Sequence, residues 1–200
     1  MIPDGFFFQI SENPPEIDQK VIKAHFEKLG RQLPFEDISE NREERVFFSI
    51  LISGIGEFFM KREKYQTARD HYKLVTTLVP NDSNYMNGLG AAYGYLQQND
   101  LAEKSFLQAI VLNPKDYIPY LNLAGIYYSN QNLKKSEFYF ERVLGLYPNH
   151  QESLFTLGKI NIEKGNKKEG LDYFRQLLEL YPDDDAVRDE VGLLIGEMKS

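Results

Sequence analysis

The sequence predicts an all-α fold, a curved solenoid of four helix-turn-helix repeats closed by a capping helix at each end. Three observations predict it. Residues 49–82, 83–116, 117–150 and 151–184 align at a strict 34-residue period with no insertion or deletion. Each block closes on a proline, at Pro80, Pro114, Pro148 and Pro182, and proline neither continues a helix nor leaves the residue before it in helical geometry. Within each block the apolar residues fall at helical spacing in two runs of about three to four turns. Polar breaks separate the runs: Lys61-Arg62-Glu63-Lys64, Gln97-Gln98-Asn99-Asp100, Ser129-Asn130-Gln131-Asn132 and Lys164-Gly165-Asn166.

The repeat can be read column by column. An apolar-small pair recurs as Ile55-Gly56, Leu89-Gly90, Leu123-Ala124 and Leu157-Gly158, with a partial copy at Val191-Gly192. An aromatic follows at Phe59, Tyr93 and Tyr127, where the fourth block has Asn161. A small residue recurs at Ala68, Ala102, Ser136 and Gly170, an aromatic at Tyr72, Phe106, Phe140 and Phe174, and an apolar residue at Val75, Ala109, Val143 and Leu177. Small residues let paired helices approach and the aromatic knobs fill the gap, so each unit buries its apolar side by stacking on its neighbours. Over residues 49–184 this order of small, aromatic and proline positions resembles the tetratricopeptide repeat. The resemblance implies a right-handed α-α superhelix in which the first helix of each pair lines the concave face. A looser similarity, in an all-helical body with an apolar groove, extends to the tetratricopeptide class (class II) of type III secretion chaperones.

Taken in chain order, residues 1–48 read as an N-terminal arm, a capping helix and the start of the first repeat helix. Pro14-Pro15 opens the capping helix, over about 16–29, with Ile17, Val21, Phe26 and Leu29 at helical spacing and Gly30 closing it. Ser39 is the expected N-cap of a first repeat helix over 40–62. Repeats one to four follow, over 49–82, 83–116, 117–150 and 151–184. Residues 185–200 read as the C-terminal cap, with Val187, Val191, Leu194, Ile195 and Met198 on one stripe. The whole is expected to form one domain. The arm Phe6-Phe7-Phe8-Gln9-Ile10 is too apolar for a free tail; it either packs as part of the cap, plugs a groove or anchors a partner.

Charge and composition exclude several functions. A formal net charge of −7 with 42% hydrophobic residues disfavours nucleic acid and acidic membranes. The nearly continuous apolar stretch 46–55 is interrupted at Glu57 and falls short of the ~20 residues that span a bilayer, so a buried helix is expected and no direct membrane insertion. With no cysteine there is neither a disulfide nor a thiolate site. The N-terminus lacks a basic segment leading into a long apolar core, which makes the cytoplasm the expected location. His25, His71 and His150 are scattered without metal-ligand or triad spacing. Gly88-Leu89-Gly90-Ala91-Ala92-Tyr93-Gly94 misses the nucleotide-loop spacing and follows no strand. A non-enzymatic protein is therefore expected, without cofactor or metal.

The resemblance assigns a concave wall residue by residue. Its candidates are Gly54 and Glu57 in repeat one, and Asn84, Asn87, Gly88, Ala91 and Tyr95 in repeat two. Repeat three adds Ile118, Leu121, Asn122, Gly125 and Tyr128, and repeat four Phe155, Lys159 and Ile162. This wall is apolar and small. Gly54, Gly88, Gly94 and Gly125 lie outside the small column within a pair, and each costs a helix ~1 kcal/mol relative to alanine. Either they leave room for a partner, or they serve closer packing or are simply tolerated. Co-chaperones of the family hold an acidic chain end with cations on successive first helices; at those positions this chain offers Asn122 and no cation. The expected ligand is an apolar extended peptide or an amphipathic helix of another protein, held in the groove by an adaptor or chaperone. The alternative is a structural subunit, or a homo-oligomer, using the convex face or the ends.

Overall fold

A computed structural model describes residues 42–197. The chain divides into two compact units, Met1–Phe48 and Ser49–Ser200. The capping helix expected over 16–29 and the Phe6-Phe7-Phe8 arm lie outside the described residues. Those residues form nine helices and no strand: α1 Arg42–Lys61, α2 Tyr65–Leu78, α3 Ser83–Tyr95, α4 Asn99–Leu112, α5 Ile118–Ser129, α6 Leu133–Leu146, α7 Gln151–Glu163, α8 Lys167–Leu180 and α9 Asp185–Glu197. They are the four expected helix pairs followed by the C-terminal cap. Among the described residues no helix is long and apolar enough to cross a membrane.

Both kinds of junction repeat as the sequence period requires. Each second helix stops two residues before its proline, and the intervening Val79, Asn113, Tyr147 and Tyr181 have left helical geometry, at φ −134, −141, −136 and −129°. This is the displacement that a following proline ring imposes. Inside each pair the first helix ends in a Schellman turn, with Gln98 N–H donating to the Tyr93 carbonyl at 3.0 Å and Gln97 N–H to Gly94 at 2.9 Å. The residue in the left-handed position is Glu63, Gln97, Gln131 and Gly165 in successive repeats, with φ of 59, 59, 58 and 83°.

Packing inside a pair follows from the small-aromatic columns. The ring of Phe106 lies where a Cβ on Gly90 would stand, 2.7 Å away, and Phe174 fills the same place at Gly158, 2.3 Å away. Phe140 packs with Ala124, Leu157 and Ile160 in the core of repeats three and four. Each such ring contributes about 1.5–3 kcal/mol by leaving water. Tyr72 takes the same role under Gly56, at 3.2 Å. Burial, reinforced by the charge of Glu57, pushes its phenol up to about 12, so it stays neutral through ordinary pH. Where polar residues enter this core they are bonded: Ser136 donates to the Ala124 carbonyl at 3.0 Å, and Asn161 donates to the Leu157 carbonyl at 3.0 Å. Asn161 thus replaces the aromatic of its column by a local backbone bond. At the far end, Val191 of α9 is fully buried in one cluster with Leu154, Phe174 and Leu177, which closes the last repeat.

Candidate functional site

The first helices α3 and α5 are in direct contact, and the candidate wall residues lie on α1, α3, α5 and α7. Asn122 of α5 donates its amide to the Asn87 side chain of α3 at 2.9 Å, tying repeat three to repeat two. Lys159 of α7 sits 5.9 Å from the ring centre of Tyr128 on α5 and 5.6 Å from that of Phe155. The Tyr128 hydroxyl donates to Glu163 at 3.3 Å. These contacts bring Asn87 together with Asn122, and Tyr128 together with Phe155 and Lys159, across the first helices of three repeats.

The four wall glycines divide. A Cβ on Gly54 or Gly125 would meet nothing within 4 Å among the described residues, so both border space that those residues leave open. At Gly94 a Cβ would make ordinary contact with Ile126 of the next repeat, at 3.8 Å. Gly88 is different: the Tyr72 ring lies 2.3 Å from where its Cβ would be. Packing against the preceding second helix therefore accounts for Gly88, and open space for Gly54 and Gly125.

The remaining wall residues are partly engaged in the fold. Leu121 and Tyr128 pack at the edge of the cluster around Phe140, Phe155 and Ile162 at the edge of that around Phe174, and Ala91 at that around Phe106. Ile162 also reaches over Gly170, whose absent Cβ would stand 2.6 Å from its Cδ1. Glu57 pairs with Lys61 on the exposed side of α1 at 2.9 Å, a geometry worth little in solvent. Asn84 is exposed and donates its N–H to the Asp82 cap at 2.8 Å. Ile118 is exposed at the start of α5, and Tyr95 at the end of α3 is 63% exposed while stacked on Tyr65 at 4.5 Å. The candidate wall residues are thus largely apolar and aromatic, with Lys159 as their cation and the Asn87–Asn122 amide pair between repeats two and three.

One feature was missed by sequence reasoning. At the junction of repeats three and four, Tyr117, Tyr147 and His150 come together, with ring centres 5.4–5.7 Å apart. They border a cavity of about 470 Å³ with Glu152, Phe155 and Tyr181. His150 also caps α7: its Nδ1 accepts from the Ser153 N–H at 3.3 Å and lies 2.9 Å from the Ser153 hydroxyl. Burial, opposed by the charge of Glu152, lowers its pKa below the ordinary histidine value. Among the described residues no group of three or more histidines and carboxylates is placed to hold a metal.

Fold and wall together define a helical-repeat solenoid. Residues 87–149 and 151–184 match family models described as tetratricopeptide repeat. Similar solved structures include MamA, at 21% identity and TM-score 0.65 over 82% of this chain and 94% of that one. YrrB, described as a tetratricopeptide-repeat protein with an unusual peptide-binding site, is 18% identical at TM-score 0.62 over 88% of this chain and 90% of that one. The first tetratricopeptide domain of Spaghetti (RPAP3), bound to the HSP90 peptide SRMEEVD, is 26% identical at TM-score 0.56 over 58% of this chain and 93% of that one. Among curated proteins, none matches the chain in sequence.

Proposed function

We propose that this chain is a non-enzymatic adaptor or chaperone of the cytoplasm, holding an apolar segment of a partner protein against the wall of its first helices. The observation that carries this reading is the open space at Gly125, beside the aromatic ring of Tyr128 and the Asn122–Asn87 bridge. A glycine costs a helix about 1 kcal/mol, and among the described residues no neighbouring side chain recovers that cost at Gly125. A bound segment recovers it by laying backbone or a large side chain in the gap. That tetratricopeptide domains such as those of YrrB and RPAP3 bind peptides supports the same reading. The wall's few charges favour an amphipathic helix or an extended apolar peptide as the ligand. A secretion-chaperone role is the narrower form of this proposal and rests on resemblance alone.

The reading is tested by selecting short random peptides on the full chain and measuring their affinity for wild type and for Gly125→Gln. Leu121 and Tyr128 are poorer probes because both support the core. Selected peptides are expected to be apolar on one face, and to lose affinity for a Gly125→Gln protein that melts normally. Equal affinity for both proteins overturns the groove. The assembly-subunit reading then takes its place, favoured by Val111 and Phe138 on second helices, which are 75% and 51% exposed. Sedimentation of the purified chain as a defined oligomer is its expected signature.

A further inference from the structure

The period requires no aromatic residues at the junction of repeats three and four. One period earlier, the columns of Tyr117, Tyr147 and His150 hold Ser83, Asn113 and Asp116, and α3 starts there on an ordinary aspartate cap. Across the repeats the Tyr117 column otherwise holds Ser49, Ser83 and Gln151 and the His150 column Asp82, Asp116 and Asp184, whereas the Tyr147 column also holds Val79 and Tyr181. Tyr117 and His150 are thus the rings that stand where every other repeat is polar. The three rings pack against one another, and the cluster borders the cavity together with Tyr181 and Phe155. Tyr147 is 45% exposed at the rim. The Tyr181 hydroxyl is engaged with the Asn149 carbonyl at 2.6 Å, and His150 Nδ1 with Ser153. Their rings, with those polar atoms occupied, are what they offer to a ligand.

The charge of this cavity has one sign. No lysine or arginine lines it, and Glu152 is its carboxylate. His150, kept neutral by burial at pH 7, adds no opposing charge. Aromatic faces attract cations through the ring quadrupole, best where the cation is weakly hydrated. An anion would meet Glu152, and a neutral apolar group would leave that carboxylate uncompensated. The positive end of α7 opposes a cation, but it is one helix end against several rings and a carboxylate.

We propose that this cavity binds an alkylated ammonium cation, such as the head of a trimethyllysine side chain or of choline. The site shares only Phe155 with the proposed groove and stands or falls independently of it.

The full chain is titrated with tetramethylammonium chloride, choline and a short trimethyllysine peptide, with 3,3-dimethylbutanol as the neutral counterpart of choline. Aromatic proton shifts report the site. Saturable shifts are expected for the cations at Tyr117, Tyr147, His150 and Tyr181, with binding at least about tenfold tighter than for the alcohol. Tyr147→Leu and Glu152→Gln, both at exposed positions, are expected to weaken it while melting like wild type. A peptide that binds more tightly than choline identifies a protein side chain as the source of the cation; the reverse order identifies a free small molecule. Equal binding of the alcohol, shifts that do not saturate, or undiminished binding by both variants overturns the proposal.

Discussion

At the scale of the residue, glycines of one sequence type carry opposite meanings, and substitution separates them. Gly158→Ala places a methyl 2.3 Å from the Phe174 ring, which is buried and has no room to withdraw. The expected loss is about 1–3 kcal/mol, the usual cost of overpacking. Gly125→Ala meets open space and should gain up to about 1 kcal/mol from helix propensity. Urea unfolding of the two variants beside wild type checks both signs. The Schellman turns give a second residue-scale prediction. Gln131 holds φ 58° with a side chain that disfavours it, whereas Gly165 holds φ 83° freely. Gln131→Gly is therefore expected to raise the melting temperature slightly and Gly165→Ala to lower it, by about 1 kcal/mol each way. Melting curves that move in the opposite directions would show that the turns are not strained.

At the scale of the element, the cap of α7 is the place where pH should act. His150 occupies the column in which Asp82 and Asp116 accept N–H bonds for α3 and α5. It accepts only while Nδ1 is unprotonated. Because its folded pKa lies below the ordinary 6.5, the unfolded chain takes up the proton first. The cap's contribution is therefore complete above about pH 6.5 and is lost as pH falls through the lower, folded value. His150→Asn, which caps without titrating, should remove this part of the acid sensitivity, and the difference in melting temperature between the two proteins at pH 7.5 and pH 5 measures it. The elements themselves were legible in the sequence, because a 34-residue period fixes every boundary four times over and the prolines mark each end. The left-handed turn residues were not, since only Gly165 among them carries a compositional signal. The division among the wall glycines was hidden too: Gly88 and Gly125 look alike until the Tyr72 ring is seen against one and not the other. The aromatic cavity did leave a trace, as Tyr117 in a column that is otherwise serine and glutamine and His150 in one that is otherwise aspartate, but its formation depends on residues of distant sequence meeting in space.

At the scale of the whole molecule, the described packing runs almost entirely between helices adjacent in the chain, with direct contact between first helices as the next link. Stability in such a stack is nearly a sum of units and interfaces. Val191 joins α9 to the last repeat through a fully buried contact, so Val191→Asp sets an unpaired charge in that interface. It is expected to release α9 while leaving α3 to α6 folded, seen as fast amide exchange confined to residues after about 185; uniform loss of protection would mean that the stack unfolds as one body. The neighbour-only pattern also bears on how the chain comes to be folded. Among the described residues no helix has a distant partner to wait for, so closure of long loops sets no barrier to their packing. A pair such as α5 and α6, which has a helix to pack against on either side, can condense early and recruit its neighbours in both directions. A chain emerging residue by residue would then acquire lasting structure as each 34-residue unit is completed, rather than only after its last helix has been made.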